Sequence, residues 1–417
     1  MIEAVVIADD LTGALDTGIQ FTKENLSTLV ITELDFDIDT IPKDIEVIVI
    51  DTESRHIDKS EAKFRVKSIV SKLKKINNIK YFYKKIDSTF RGNIGQELEG
   101  FMEGLEIKTL NFIPGFPENG RVVQEGILYV DGKKITETAF ANDILNPITH
   151  SYIPKIINQQ TEIKVLRSKE TEEKLKDEDK KIIYLYDSLT KGELELINQE
   201  LKSKKQNKYL AGSAGFAEII AKEIGRKKEF KKFEVKDKKI LLVCGSVNKT
   251  SLEQCVYAQK NDYLVENLKF DDVIKKDYYK KNFTIKKEIS ELINRKNKIL
   301  IKSSQDSNII EATKKYSKEN NIPLEEITQN VANNIGNLIT FLIEKNDLKN
   351  IIIFGGDTLI GILKEMNITK IYPLIEITSG VVLAKVYFND NELNIITKAG
   401  GFGNKDIIKD IEKFLEI

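Results

Sequence analysis

Short, continuously apolar, β-branched runs recur along this 417-residue chain, with helix-period segments between them. EAVVIA (3–8), STLVIT (27–32), EVIVID (46–51), YFYKKI (81–86), TLNFI (109–113) and IIYLY (182–186) read as strands. KILLVC (239–244), KILIK (298–302), IIIF (351–354) and LAKVYF (383–388) follow in the second half. Amphipathic stretches such as 11–22, 60–74 and 332–344 lie between them. A strand apolar on both faces needs cover on both, and strands separated by helices return in parallel. The pattern predicts an α/β fold of two domains, each a largely parallel sheet flanked by helices.

Two domains also follow from length, which exceeds one ordinary core. Charge-dense stretches at 169–181 and 226–239 have little apolar content, and the second precedes a fresh strand. The boundary is expected near residue 235, giving domains 1–235 and 236–417. Lys+Arg and Asp+Glu are 65 each, so a general electrostatic grip on nucleic acid or an anionic membrane is not expected. A 41% hydrophobic fraction supports real cores, and no apolar run reaches the roughly 20 residues that span a bilayer. The opening MIEAVVIADD enters a strand directly, which predicts no secretory leader. Cys244 and Cys255 lack metal-ligand spacing and suit a reducing cytoplasm.

In open α/β sheets ligands bind beyond the carboxyl ends of strands. After the first strand come Asp9 and Asp10, opening a helix with Leu11-Thr12-Gly13-Ala14. Such carboxylates bind hydroxyls, hold Mg²⁺ or act as a base, while the plain alternative is a helix cap. Thr52-Glu53-Ser54-Arg55-His56 follows the third run. Asp87-Ser88-Thr89-Phe90-Arg91-Gly92-Asn93 follows the fourth, with Lys84 and Lys85 just before. Pro114-Gly115-Phe116-Pro117-Glu118-Asn119-Gly120-Arg121 follows the fifth. With seven arginines against 58 lysines, Arg55, Arg91 and Arg121 stand out. A guanidinium captures carboxylate or phosphate bidentately, or simply makes a structural ion pair. Polar clusters at four of the first five strand ends suit a small, hydroxylated, anionic ligand.

The second half is rich in glycine turns instead: Gly245-Ser246 to Thr250, Gly355-Gly356-Asp357-Thr358 at a helix start, and Lys398-Ala399-Gly400-Gly401-Phe402-Gly403. Glycine at strand-to-helix turns lets backbone approach phosphate, so three such turns favour a nucleotide. The P-loop, dinucleotide fingerprint, protein-kinase motifs and serine-hydrolase elbow are all incomplete or missing. His56 and His150 are the two histidines, and the aromatics form no spaced stacking platform.

ADDLTGA (8–14), KIDSTFRG (85–92), PGFPENGR (114–121), GSAGFA (212–217), GGDT (355–358) and KAGGFG (398–403) resemble the four-carbon acid sugar kinase family. The resemblance runs in order through essentially the whole chain. It implies an ATP-dependent kinase that phosphorylates the terminal O4 hydroxyl of D-threonate, D-erythronate or a 3-oxo-tetronate. It also implies an N-terminal sugar-acid domain and a C-terminal nucleotide domain. Carried over, substrate contacts fall on Asp9, Asp10, Arg55, Lys85, Asp87, Ser88 and Arg91. Nucleotide contacts fall on Ser246, Gly355, Gly356, Asp357, Thr358, Lys398, Gly400, Gly401 and Gly403. YPLIEITSGVV (372–382) departs from the family's G-P-E-x-x-P-G-x-P, keeping Glu376 and Gly380 without the surrounding prolines.

The expected mechanism uses Arg91 or Arg55 for the substrate carboxylate, and Asp10 and Asp87 for hydroxyls. One of these accepts the O4 proton, with Asp357 as a rival base. Gly355-Gly356-Asp357 and Mg²⁺ hold the triphosphate, Lys398 meets the γ-phosphate, and domain closure joins the reactants. A non-catalytic sensor on the same fold and a dehydrogenase are the competing classes. Retention of Asp9, Asp10, Asp87 and Asp357 counts against the first, and the failed fingerprint against the second. The partners expected are the sugar acid and ATP, with a 4-phospho-tetronate dehydrogenase next in the pathway; a homodimer stays open.

Overall fold

The structure, a computed structural model, describes residues 1–142, 146–169, 180–226, 238–303, 308–398 and 401–416. The chain divides into two compact units, Met1–Lys228 and Glu229–Ile417. The boundary expected at residue 235, Gly400, and most of the two charge-dense stretches lie outside the described residues.

The first unit begins with β1 (Ala4–Ala8), α1 (Leu11–Lys23), β2 (Thr28–Ile31), β3 (Val47–Asp51), α2 (Lys59–Leu73), β4 (Tyr81–Lys85), α3 (Ile94–Leu105) and β5 (Thr109–Ile113). A small antiparallel meander follows, with β6 (Arg121–Gln124), β7 (Ile127–Val130) and β8 (Lys133–Lys134). The unit ends with α4 (Ile153–Asn158), β9 (Lys164–Arg167), β10 (Ile182–Leu185), α5 (Lys191–Ser203), β11 (Tyr209–Gly212) and α6 (Ala214–Ile224). The main sheet runs β2-β3-β1-β4-β11-β5-β10-β9, parallel throughout. Every residue of β1 to β4 is buried, as expected of a sheet with both faces covered.

The second unit holds β12 (Ile240–Cys244), α7 (Lys249–Lys260), β13 (Leu264–Asn267), α8 (Phe270–Val273), α9 (Tyr278–Lys281), α10 (Phe283–Ile293) and β14 (Lys298–Lys302). It continues with α11 (Ile309–Asn320), α12 (Leu324–Asn346), β15 (Asn350–Phe354), α13 (Gly356–Glu365), β16 (Lys370–Thr378), β17 (Val381–Phe388), β18 (Asn391–Lys398) and α14 (Ile407–Phe414). Its strand order is β13-β14-β12-β15-β18-β17-β16. The first five are parallel, and the last three form an antiparallel ribbon. Among the described residues no helix is long and apolar enough to cross a membrane.

One charged pair sits inside the first unit's core. Lys84, on β4, lies 2.8 Å from the Glu97 carboxylate of α3, and the two are 0% and 1% exposed. Lys84 also donates to the Lys85 carbonyl at 2.8 Å, and Ser54 Oγ donates to Glu97 Oε1 at 2.7 Å. These bonds tie β4, α3 and the loop after β3 together directly beneath the strand ends. Removing one partner strands an uncompensated charge, which costs about 3–5 kcal/mol, whereas removing both costs far less. Lys84→Met should therefore lower stability in chemical denaturation by about that amount, and Lys84→Met with Glu97→Leu should recover most of it. A single variant as stable as the parent would contradict this account.

Candidate active site

The carboxyl ends of β3, β1 and β4 lie side by side: Ala8 pairs with Asp51, and Ile7 with Lys84. Their outgoing loops bring together most of the expected substrate residues. Asp10 caps α1, its Oδ1 accepting from the Gly13 N–H at 2.9 Å. Arg55, in the loop after β3, reaches across to both aspartates. Its Nε lies 2.7 Å from Asp9 Oδ2, its second nitrogen 2.7 Å from Asp10 Oδ1 and 4.0 Å from Asp87 Oδ1. Asp87 in turn holds Arg91, with Nε at 2.7 Å and the terminal nitrogen at 3.3 Å, and accepts from Thr89 Oγ1 at 2.6 Å. Two of the three arginines that stand out in the sequence, Arg55 and Arg91, therefore face aspartates of their own unit.

Lys85 behaves differently. It is 4% exposed, yet its ammonium makes no hydrogen bond or ion pair with any described residue. A Cβ at Gly13 would lie 2.9 Å from the Lys85 Nζ and 2.5 Å from Asp10 Oδ1. Glycine at 13 is thus what lets ammonium and carboxylate converge on the start of α1. Ser88 is half-buried in the adjacent turn.

Electrostatics follow from this crowding. Burial pushes the Asp9 carboxyl up, but the Arg55, Lys84 and Lys85 cations hold it below its ordinary value. Burial also works against Asp87, and Arg91 and Arg55 overcome it, keeping this carboxyl well below the usual range. The Asp9 Oδ1 oxygen is buried without a hydrogen-bond partner among the described residues.

Several contributors have roles that the motifs do not reveal. Phe90 takes a left-handed φ of +61° while 2% exposed, packed edge-on against Phe112 at 5.9 Å. A bulky residue in that region is strained, and the strain aims Thr89 and Arg91 back at Asp87. Asn93 donates to the carbonyls of Ser54 and Ile57 at 2.8 and 2.9 Å, locking the two loops. Phe140 lies under the Arg91 guanidinium at 5.7 Å, and Asn146 bonds His56 Nδ1 at 2.7 Å. Arg121 instead opens β6 in the meander.

In the second unit four strand ends stand in one row: Lys302 pairs with Cys244, Cys244 with Phe354, and Phe354 with Lys398. Gly245 and Ser246 follow β12, and both amides donate to the Phe354 carbonyl at 3.1 and 3.2 Å. A Cβ at Gly245 would meet Thr358 Oγ1 at 2.0 Å, and Gly355 holds φ +121° beside Ser246. Gly356, Asp357 and Thr358 form the first turn of α13, with Thr358 buried and Asp357 exposed. Lys398 is buried and donates to Ser251 Oγ and the Phe402 carbonyl, each at 3.2 Å. Burial lowers its ammonium to about 8. Gln254, unremarked in the sequence, donates to the carbonyls of Phe402, Gly403 and Asn404 and so holds the loop containing Gly401 and Gly403.

Glu53 is a further group missed by motif reading. It has φ +43°, accepts from the Leu11 N–H at 3.2 Å and donates its own amide to Asp51 Oδ1 at 3.0 Å. Burial lifts its carboxyl to about 7, with Asp10's charge adding to the effect. Burial likewise holds Asp51 well above its ordinary value. The unfolded Glu53 releases its proton near 4.5, so the folded state binds the extra proton between those values. Stability then falls as pH rises through that window. Glu53→Gln removes this titration, so its melting temperature relative to the parent should climb between about pH 5 and about pH 8. A constant gap would exclude Glu53 as the titrating group.

Residues 4–220 match a family model described as a sugar-binding N-terminal domain, and residues 241–408 one described as a nucleotide-binding C-terminal domain. The chain is 25% identical over 433 aligned residues to a D-threonate kinase of Salmonella typhimurium, covering 99% of this chain and 98% of that one. It is 28% identical to a D-erythronate kinase of Heliobacterium modesticaldum over 63% of this chain and 61% of that protein. A 3-oxo-tetronate kinase of Escherichia coli is 31% identical over 39% of this chain and 42% of its own. Among solved structures, a Salmonella typhimurium protein named as a tRNA synthase superposes with a TM-score of 0.80 at 20% identity, covering 99% of each chain. A Haemophilus influenzae protein gives 0.71 at 20% identity, over 99% of this chain and 100% of that one. These structural likenesses speak for the fold alone. With both domain models matched in order and relatives of this kind along its length, the chain belongs to the four-carbon acid sugar kinases.

Proposed function

We propose that this protein transfers the γ-phosphoryl group of ATP to the O4 hydroxyl of a four-carbon sugar acid, D-threonate or D-erythronate ahead of a 3-oxo-tetronate. The observation that carries the substrate half is Lys85, a buried ammonium with no described partner, beside Asp10 and Gly13. A buried cation that the protein leaves unpaired suits an anionic ligand. Lys85 therefore takes the substrate carboxylate. Arg55 and Arg91, which the sequence offers for the carboxylate, are engaged by Asp9, Asp10 and Asp87 and shape the site around it.

Asp10 is the general base. Its Oδ1 is held by Gly13 and Arg55, while Oδ2 makes no hydrogen bond with a described residue. Asp87 has Arg91 and Thr89 on its oxygens and is held well below the ordinary carboxylate range, which makes it a weak base. As O4 attacks the γ-phosphorus, its proton passes to Asp10, the bond to the bridging β–γ oxygen breaks, and ADP leaves. Ser246, the Gly355–Thr358 turn, Lys398 and the loop with Gly401 and Gly403 hold the nucleotide. Mg²⁺ commonly binds through one or two carboxylates plus phosphate oxygens, where it neutralises developing charge. Exposed Asp357 fits that requirement at the phosphate turn. The same reading sets the enzyme in the cytoplasm and leaves oxidation of the 4-phospho acid to a dehydrogenase.

The test is ADP release from MgATP with D- and L-threonate, D- and L-erythronate and 3-oxo-tetronates, using D-glycerate and gluconate as size controls. Turnover confined to one or two tetronates is expected. In Lys85→Met the KM for the acid should rise about 10–100-fold, the loss of one charge-assisted bond. ATP affinity should stay unchanged. Asp87→Ala and Arg91→Ala should abolish turnover and still bind ATP. Loss of ATP affinity in any of the three would overturn this division of roles.

A further inference from the structure

We propose that Lys302, at the carboxyl end of β14, is a second phosphate-binding ammonium in the nucleotide site, opposite Lys398. The proposal rests on the nucleotide reading of the second unit and adds to it a residue that none of the glycine turns contains.

Four observations carry it. Lys302 is 7% exposed, yet its ammonium forms no hydrogen bond or ion pair with any described residue. The other deeply buried lysine of this row, Lys398, donates to neutral oxygens, Ser251 Oγ and the Phe402 carbonyl. Register sets both lysines on one face of the sheet, because Lys302, Cys244, Phe354 and Lys398 are successive partners across four parallel strands. That face is the one covered by α7, since Cys244 and Phe354 pack in one cluster with Cys255 and Ala258 of that helix. Finally, the charges converge: Lys302 and Lys398 both act on the Cys244 and Cys255 thiols, and Lys398 lies 4.9 Å over the Phe354 ring.

Two like charges buried on one face, one of them with no acid paired to it among the described residues, oppose folding. They become favourable when a polyanion arrives, and the Gly245-Ser246 turn between their strands is where one would lie. The contrast with Lys84 is instructive, because there the same kind of burial comes with Glu97 at 2.8 Å.

Lys302→Met keeps most of the side-chain volume and removes the charge. By calorimetry, ATP affinity should fall about 10–100-fold, the loss of one charge-assisted bond, with a smaller loss for AMP and none for adenosine. Melting temperature without nucleotide should stay the same or rise, because no ion pair is broken. Lys302→Arg should keep most of the ATP affinity. Unchanged ATP binding in Lys302→Met would overturn the proposal, as would an equal loss for adenosine or a fall in nucleotide-free stability with binding kept. Should Lys302→Met fail to fold, that result also counts against it, and Lys302→Gln repeats the comparison. A parent protein that binds no ATP would instead overturn the nucleotide reading itself.

Discussion

Arg55 is the keystone of the first unit. It is 8% exposed and draws on carboxylates from two other strand ends, Asp9 and Asp10 after β1 and Asp87 after β4. A guanidinium suits this position because its planar fork offers separate donors to separate acids, which an ammonium could not match. Removing it would leave three carboxylates crowded around an empty centre. Gly92 is shaped to the same residue: with φ +92°, a Cβ there would press on the Arg55 side chain at 2.8 Å. The loops after β1, β3 and β4 are thus organised by charge balance rather than by apolar packing. Among the described residues of this web, Lys85 is a cation left over for a ligand.

The second unit reaches a comparable end by backbone geometry. Here the strand ends are aligned in a row, and two turns meet so closely that Thr358 fills the space a side chain at Gly245 would need. Beside Lys302, Lys398 and the exposed Asp357, the described groups at this edge include backbone amides, hydroxyls and glycine backbone. Such a surface suits phosphate, whose many oxygens are well served by N–H donors. The first unit suits a small acid with hydroxyls, which needs charged and directional side chains.

How far all this could be read in advance depended on what each feature rests upon. TLNFI and KILIK coincide with β5 and β14, because a continuously apolar run bounded by turns has one good solution. YLAG, KIYPLIEIT and NELNIITK were passed over, since β11 is short and β16 and β18 mix polar residues and a proline into their pattern. The D-S-T-F-R-G string pointed to Asp87 and Arg91, but not to their pairing with each other. Glu53 stands in the polar run after the third strand but has no signal of its own there, since its importance comes from a positive φ and from Leu11, 42 positions away. Lys302 likewise becomes notable only when register sets it beside Cys244, and charge counts cannot distinguish it from 57 other lysines.

The segment that departs from the family's proline-rich pattern shows how a different chemistry can support the same loop. In place of a proline-stiffened turn, residues 370–378 form β16, paired antiparallel with β17 and irregular at Pro373/Ile375 and Glu376/Thr378. Irregularities of this kind bend a strand and re-aim its end. The ribbon turns at Gly380, whose φ of +72° would strain any other residue and where a Cβ would lie 2.5 Å from the Phe402 ring. Phe402 is therefore gripped from two directions, its ring against Gly380 and its carbonyl by Gln254 and Lys398. The prolines would have stiffened that corner through their own rings. This chain obtains the stiffness of that corner from a hydrogen-bonded ladder and from packing against Phe402.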